Sequence, residues 1–194
     1  MPIKLNGATS GSVELDVPAA VGSDLQLTLP TTAGTLDRLE RAGNILQVVQ
    51  GSTNTPVNIA TAVYTDSGLS ASITPTSSTS KILVIISQQV QYARGDTGQG
   101  VAIRILRDST VIHAPTENAQ GGLTNYIAAG GSTSINHYFV YNRTLLDSPN
   151  TTNAVTYKTQ GRPYLDSNTG RCNFQYPNSV NNGTSYIQLI EVAV

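Results

Sequence analysis

The longest uninterrupted apolar run in the chain, Ile82 to Ile86, predicts a strand that is buried on both faces. Four of its five residues are β-branched, which favours an extended backbone. A run of five is far shorter than the roughly 20 residues that span a bilayer. The pattern turns polar after Ser87, so we expect the stretch Lys81 to Tyr92 to be covered by protein at its start and wetter at its end. We predict that this stretch is the central strand of a β-sandwich.

Strand-like segments, separated by stretches rich in Gly, Ser, Asn and Pro, fill the chain from Ile45 onward. The segment Val101 to Asp108 alternates, with Arg104 on the face opposite its β-branched neighbours. Because no long amphipathic helix joins these segments, we predict an all-β fold, an antiparallel β-sandwich or jelly roll, and not a parallel α/β fold. The predicted strands are Ile45–Gln50, Thr61–Asp66, Leu69–Thr74, Lys81–Tyr92, Val101–Asp108, Thr110–Ala114, Ser134–Leu146, Ala154–Gln160, Arg171–Tyr176 and Ser185–Val194.

The opening segment, residues 1–35, differs from the rest. Two short alternating runs flank a turn region, which predicts a two-stranded β-hairpin with one apolar face. Its aliphatic side chains are too few to offset the entropy lost on ordering the segment, so it needs surface from another chain. We predict a segment for virion attachment or oligomerisation whose apolar contacts, with two from the connector that follows, are Val13, Leu15, Val17, Leu25, Leu27, Leu29, Leu36 and Leu39.

Residues 31–44, TTAGTLDRLERAGN, carry the one helix-like pattern. Thr35 or Asp37 is a possible N-cap, Leu36 and Leu39 share a face, and Gly43 ends the helix. At two or three turns this helix is below the ~12–15 residues needed for independent stability, and an irregular connector fits equally well. The predicted domains are therefore residues 1–35, a connector over 36–44 and a β-sandwich over 45–194.

Composition limits the function. Charged residues make up 12% of the chain, about half of the roughly 25% usual in globular proteins. The net charge of −1 and pI near 6.0 provide no basic patch for nucleic acid and no polybasic segment for an anionic membrane. A charged and apolar leader is not visible, so we expect no signal peptide and no membrane insertion. The single Cys172 excludes an intrachain disulfide and is expected to be a small packing residue.

Catalytic signatures are missing from the sequence. His113 and His137 each lie within a predicted strand, where a packing role is favoured over that of a general base. There is no Gly-x-Ser-x-Gly motif, and no His or Cys set has metal spacing. We therefore expect no enzyme activity, no metal and no cofactor.

Two parts of the chain resemble bacteriophage tail fibre proteins. Residues 7–36, GATSGSVELDVPAAVGSDLQLTLPTTAGTL, resemble short modules that recur in such fibres. The stretches ILQVVQG, DSGLSASITPTSSTSKILVIIS and SYIQLIEVAV are similar to C-terminal domains of fibres from marine and cyanobacterial phages. Together they cover about two fifths of the chain, and residues 93–180 match nothing. The resemblance implies a homotrimer whose N-terminal segment docks onto a tail or baseplate protein and whose β-domain points toward the host.

The loops of the predicted β-domain have the composition of a binding surface. Nine Tyr stand against two Phe and no Trp, and Tyr with Ser, Gly and Asn is typical of antibody recognition loops. The Arg-Gly-Asp tripeptide is better interpreted as a hairpin turn than as an integrin ligand. The candidate receptor-binding residues are Tyr92, Arg94, Asp96, Tyr126, Tyr164, Asp166, Arg171 and Tyr176.

The leading hypothesis is a trimeric phage tail fibre, a virion protein made in the host cytoplasm, whose β-domain loops adhere to a glycan or protein on the host surface. A purely structural baseplate, collar or head-decoration protein is the alternative. A polysaccharide depolymerase would need two carboxylates flanking a glycosidic bond. The sequence does not bring any two together among the available ones, Asp108, Glu117, Asp147 and Asp166.

Overall fold

A computed structural model describes residues 3–6, 12–15, 41–94, 99–115, 123–127, 135–164, 171–176 and 183–194. The chain divides into two compact units, Met1–Asp37 and Arg38–Val194, and the division falls inside the stretch predicted as a connector.

In the first unit, β1 (Ile3–Asn6) and β2 (Ser12–Leu15) form an antiparallel pair. Val13 and Leu15 therefore lie in a strand, as predicted, and their register partners are Leu5 and Ile3. The sequence did not indicate this pairing. The other residues predicted for attachment lie outside the described residues: Val17, Leu25, Leu27, Leu29, Leu36 and Leu39.

The second unit is all-β, as predicted, and consists of two antiparallel sheets in a sandwich-like arrangement. Within the described ranges there is no helix, and so none that could cross a membrane. The strands are β3 (Ile45–Thr53), β4 (Val57–Ile59), β5 (Thr65–Ile73), β6 (Lys81–Arg94), β7 (Gln99–Arg107), β8 (Thr110–His113), β9 (Asn125–Ile127), β10 (Ile135–Asp147), β11 (Val155–Pro163), β12 (Arg171–Phe174) and β13 (Ser185–Val192).

Sheet I has six strands in the order β3-β13-β6-β12-β4, with β10 along the other side of β6. β10 pairs with β6 over its whole length, whereas β13 and β12 share the opposite side of β6 between them. The prediction that β6 is the central strand is confirmed. Sheet II has the order β5-β11-β7-β8, and β9 pairs with the start of β7.

The core lies between the two sheets because their strands alternate. Ile82, Val84 and Ile86 of β6 point inward and are fully buried with Ile103 and Tyr157 of sheet II. The residues between them in the apolar run of β6 face outward and are only half-buried. The predicted burial on both faces is therefore realised on one face within a single chain.

A polar cluster also lies between the sheets. The Gln88 amide donates to Ser67 Oγ at 2.8 Å, and the Thr159 hydroxyl donates to Gln88 Oε1 at 2.9 Å. Ser67 Oγ lies 2.5 Å from Thr159 Oγ1 and closes a three-membered ring of hydrogen bonds. All three residues are fully buried, and the mutual hydrogen bonds offset the cost of removing them from water.

Two expectations for the strands were wrong. The segment Thr61–Asp66 was predicted as a separate strand, but residues 61–63 form bends and β5 begins at Thr65. β5 then continues through Ser67 and Gly68, where a turn was expected. Gly68 has φ +84, and the β5–β11 register shifts at this point. Ser67–Gly68 is thus a bulge in one strand, since a left-handed glycine suits a bulge as well as a turn.

Residues 41–44 show how the β-domain begins. They form a turn in which Gly43 has φ +89. The Gly43 N–H donates to the Ala193 carbonyl and the Ala193 N–H donates to the Asn44 carbonyl, each at 2.9 Å. The start of this domain is therefore tied to the residue that follows β13.

Candidate functional site

A small cavity lies beside the end of β13. It encloses about 60 Å³, well below the roughly 300–1,000 Å³ of pockets that hold small ligands. The outer faces of the two sheets carry richer chemistry. The cavity is lined by Leu46, Ser77, Thr79, Ser80, Ala193 and Val194.

Two arginines pack around one tyrosine on the outer face of sheet II. Tyr64 immediately precedes β5, and the Arg104 Cζ of β7 lies 4.2 Å from the centroid of its ring. The Arg162 Cζ of β11 lies 5.2 Å from the same centroid. Both distances are typical of cation–π contacts. The sheet brings the two arginines together because Arg104 and Arg162 face Gln160 and Ala102 in the β7–β11 register.

Hydrogen bonds hold this cluster in place. Arg104 donates to Gln160 Oε1 through Nε at 2.9 Å and through Nη2 at 2.6 Å. Gln160 Nε2 donates to Asp66 Oδ1 at 2.7 Å, and Lys158 Nζ lies 2.9 Å from Asp66 Oδ2. The guanidinium plane of Arg104 is thus fixed from one side by Gln160 and from the other by the Tyr64 ring, so it is oriented before any ligand arrives.

Asp66 is the one carboxylate among the described residues of this cluster, and cationic side chains lie close to it. Partial burial would raise the pKa of Asp66, but hydrogen bonds from Gln160 and Lys158 and the positive charges of Lys158 and Arg104 outweigh it and lower that pKa. The carboxylate is ionised at neutral pH. Lys158 and Arg104 thus lie close to the Asp66 carboxylate, and Arg162 lies beside the Tyr64 ring.

A pair of tyrosines lies next to the arginines. Tyr126 of β9 and Tyr164, which follows β11, meet edge to face with ring centroids 5.5 Å apart. Gly100 lies between them: it pairs with Tyr126, and its carbonyl accepts the Tyr164 N–H at 3.0 Å. A methyl group on Gly100 would collide with the Asn125 carbonyl and reach within 2.8 Å of Leu123 Cδ1. We call the whole cluster the aromatic–arginine face: Tyr64, Asp66, Arg104, Tyr126, Lys158, Gln160, Arg162 and Tyr164.

A ladder of amide side chains crosses the outer face of sheet I. Asn58 of β4 donates to Asn173 of β12, Asn173 donates to Gln91 of β6, and Gln91 donates to Asn136 of β10, the last at 2.9 Å. Gln91 and Asn173 are buried. These amides satisfy one another, so little hydrogen-bonding capacity is left for a ligand.

The predicted residues Tyr176 and Arg171 lie near this ladder. The Tyr176 ring contacts the Tyr138 ring with centroids 6.1 Å apart, and both tyrosines are exposed. Arg171 is exposed at the start of β12. The structure thus divides the predicted receptor-binding residues between two sheets, and it brings together Tyr126 and Tyr164.

Tyr92 belongs to the core and not to a binding surface. It lies on the inward side of β6 and is 1% exposed, and its hydroxyl donates to Asn125 Oδ1 at 3.2 Å. Burial raises its pKa to about 12. The sequence pattern placed Tyr92 at the edge of a loop, but β6 continues for two further residues. The side chain of Arg94 lies outside the described residues, as do Asp96 and Asp166.

The titratable groups considered for catalysis have structural partners. His113 is half-buried in β8, and burial and the nearby Arg143 lower its pKa. His137 lies in β10 and contacts the Tyr92 ring at 5.2 Å between centroids. Both histidines lie in strands, as predicted. Burial raises the pKa of the Cys172 thiol to about 12, so it stays protonated.

Two carboxylates of the described β-domain that were considered for catalysis, Asp147 and Asp108, also have partners within the fold. Asp147 lies 2.5 Å from the Arg107 guanidinium and accepts the Tyr157 hydroxyl at 2.7 Å. Asp108, in the turn between β7 and β8, accepts the Thr156 N–H at 2.8 Å. Within the described ranges, no three His, Cys, Asp or Glu residues form a group that could hold a metal ion.

Several residues of the aromatic–arginine face were missed from the sequence. The alternation of β7 indicated that Arg104 faces away from the core, which the structure confirms. Its partners Tyr64 and Gln160 come from distant parts of the chain, and only the strand register brings them together. Tyr64 had been assigned to the interior of a strand, so no signal marked it as a contact of Arg104.

Comparisons with known proteins assign no family. No protein-family model matches the chain, and no curated protein matches it. Among solved structures, it is similar to one of infectious bursal disease virus Gt strain, with 14% identity and a TM-score of 0.36 over 97% of this chain and 46% of that one. A mutant VP2 protein of infectious bursal disease virus gives 14% identity and a TM-score of 0.34, over 96% of this chain and 47% of that one.

A structure of deformed wing virus, a honeybee pathogen, gives 10% identity and a TM-score of 0.19, over 97% of this chain and 53% of that one. The chain spans about half the length of the structures it matches. At these TM-scores the similarities carry no argument about function.

Proposed function

We propose that this chain is a trimeric phage tail fibre protein whose β-domain attaches to a glycan on the host surface. The resemblance of residues 7–36, and of segments of the β-domain, to tail fibres supports the virion role. The aromatic–arginine face is the observation that carries the binding role. On one sheet surface it combines partly exposed Tyr rings and planar hydrogen-bonding groups, and cations outnumber anions among its described residues.

Each part of this face suits a sugar. The flat Tyr126 and Tyr164 rings offer apolar surface to the C–H groups of a pyranose, and their hydroxyls offer hydrogen bonds. Arg104 has five N–H donors and uses two of them on Gln160, so the others can donate to sugar hydroxyls or to a carboxylate. Because Arg104 and Lys158 both act on the single Asp66 carboxylate, cations outnumber anions among these described residues, and the face favours polysaccharides that carry negative charge.

A binding assay tests this proposal. The 194-residue chain would be applied to immobilised alginate, dextran sulfate, bacterial lipopolysaccharide and neutral dextran, and binding would be measured by biolayer interferometry. We expect binding to at least one charged polymer that exceeds binding to neutral dextran and weakens with salt. Tyr126→Ala and Arg104→Gln are each expected to lower that affinity about 10-fold, since each removes a contact worth about 1–2 kcal/mol.

Val111→Ala is the matched control, because Val111 is exposed on β8 of the same sheet but lies outside the aromatic–arginine face. Undiminished binding by both Tyr126→Ala and Arg104→Gln would refute the assignment of the face. Polymer length measured after the same incubation tests whether the protein binds without cleaving, as we propose. Polymer shortening would identify a depolymerase instead.

The alternative is a structural protein that fills space in a baseplate, collar or head. The large exposed apolar side chains on the outer face of sheet I favour it, since such side chains are covered in an assembled particle. Position in the virion distinguishes the two. Electron cryo-microscopy of the particle would show the aromatic–arginine face open to solvent in a fibre, and buried against other virion proteins in a structural part.

A further inference from the structure

We infer that copies of this chain pack against one another through the outer face of sheet I. This inference extends the proposed function, because it assigns a surface to the oligomer. It is argued from the surface itself, and it is tested independently of glycan binding.

Part of the outer face of sheet I is apolar, although the solvent-facing side of an antiparallel sheet is usually polar. Val48 of β3 and Leu146 of β10 are 60% and 55% exposed. Ile190 of β13 and Leu83 of β6 lie between them in one row across the four strands, because Val48 pairs with Ile190, Ile190 with Leu83, and Leu83 with Leu146. A continuous row of four aliphatic side chains therefore crosses the sheet and faces solvent in the single chain.

Neighbouring rows continue this surface. Tyr186 of β13 and Tyr138 and Val140 of β10 are each more than 40% exposed. Ile85 lies between Gln188 and Thr144 in the next row, and Gln188 Nε2 donates to Gln50 Oε1 at 3.0 Å. Polar side chains on this face are mostly uncharged amides and hydroxyls that bond to one another.

Charge separates this face from the other one. Along β6, β13 and β10, the described outward positions from Leu83 to Gln91, Tyr186 to Val192 and Asn136 to Leu146 carry no charge. The described charged residues of this face lie at its two ends, Lys81 at one and Arg171 of β12 at the other. The outer face of sheet II carries three cations and a carboxylate. Uncharged, apolar surface is typical of interfaces between identical subunits. Other copies of this chain are the partners that fit best, since the half of the face away from Arg171 meets its copies without burying any charge.

The apolar part of the face is smaller than a whole subunit interface. It is the half of sheet I that β3, β13, β6 and β10 form, because Gln91 and Asn173 are already buried in the other half. At ~4.8 Å between strands and ~3.3 Å per residue, this half measures roughly 19 by 26 Å along Ile82–Gln89, close to 500 Å². A standard interface buries about 800 Å² on each partner, so this face supplies part of the contact between copies. The apolar run of β6 also gains its missing cover, because Leu83 and Ile85 become buried as the sequence pattern predicts.

The test is the mass of the 194-residue chain in solution, measured by size-exclusion chromatography with light scattering. We expect wild type to show about three times the 20.4 kDa of one chain. Val48→Lys should shift the protein to the mass of one chain, or weaken assembly at least 10-fold, because a lysine would be buried at the interface. Val111→Lys makes the same change at an exposed site of sheet II and should leave the mass unchanged.

Two further measurements distinguish loss of the interface in Val48→Lys from misfolding of that variant. Leu146→Lys tests the opposite edge of the same row. Hydroxyl-radical footprinting of wild type should show Tyr186 protected relative to Tyr126. A wild-type mass of 20.4 kDa, or an unchanged mass in both lysine variants with Tyr186 reactive, would overturn the inference. A wild-type mass of one chain would also contradict the trimer of the proposed function, whereas unchanged lysine variants would overturn only this inference. Neither result bears on polysaccharide binding by the aromatic–arginine face, which the binding assay tests by itself.

Discussion

At the scale of single residues, Glu191 shows how a buried carboxylate stabilises the end of the β-domain. Its Oε2 accepts the Gln47 amide at 2.5 Å, and its Oε1 accepts the Thr76 N–H and hydroxyl at 2.8 Å each. Burial would raise the pKa of Glu191, but these hydrogen bonds outweigh it and lower the pKa below its ordinary value of 4.5. The carboxylate thus links β3, the segment after β5, and β13.

The sign of the pH dependence follows from that shift. A lowered pKa contributes stability that is fully present above pH 4.5 and is lost as the pH falls through the folded-state pKa. Glu191→Gln should reduce the free energy of unfolding at pH 7 by about 1–3 kcal/mol, because an amide replaces an acceptor of charged hydrogen bonds. Urea titrations at pH 7 and pH 3 should show the difference from wild type shrinking in acid. A constant difference would contradict this role.

Single residues also show how far a sequence can indicate a site. Tyr126 and Tyr164 were predicted because exposed tyrosines near glycines are typical of binding loops. Tyr92 is a tyrosine predicted on the same ground, but its position in β6 points its side chain into the core. Tyr64 and Arg104 are 40 residues apart in the sequence, and their contact depends on sheet register, which hydrophobic pattern alone does not specify.

At the scale of elements, the close contact between β11 and β12 depends on a glycine. Gly161 is buried in β11, and the Phe174 ring of β12 occupies the space where its Cβ would be. Gly161→Ala should therefore lower the free energy of unfolding by about 1–3 kcal/mol through overpacking. Urea unfolding monitored by circular dichroism measures this change in the free energy of unfolding.

The control is a double-mutant cycle. Phe174→Leu replaces the ring that the new methyl group would strike with a smaller side chain. Gly161→Ala should therefore lower the free energy of unfolding by less in that background. Equal costs in both backgrounds would show that the contact with Phe174 is not the cause.

Elements were more predictable than their connections. A β-branched run predicts β6 and alternation predicts β7, because side-chain burial on a pleated surface dictates both patterns. Strand-like segments between turn-rich stretches predict β10, β11 and β13. The sequence predicts a turn at Gly68 where the structure has a bulge, since a left-handed glycine is common in both. The strands β4 and β9 have three residues each, too few for a period of two to show.

At the scale of the whole molecule, the strand order joins the two ends of the β-domain. β13 lies between β3 and β6 in sheet I, and Ile187 and Leu189 are fully buried. Deleting residues 185–194 would remove the neighbour of β3 and open one side of β6. We expect the shortened protein to lose its cooperative unfolding transition.

Differential scanning calorimetry provides the measurement, with wild type as reference. A shortened protein that still unfolds in one sharp transition would contradict the strand order. This order could not be predicted from the sequence, because antiparallel strands of similar composition can be arranged in many ways that satisfy the same pattern.

The unbroken pairing of β10 with β6 has a mechanical consequence. Thirteen successive residues of β10 are in register with β6, so tension along the strand axis loads their hydrogen bonds in parallel. This shear geometry resists tension along the strands, whereas peeling would break the same bonds one by one. Single-molecule stretching should show a higher rupture force along β6 than across the sheet.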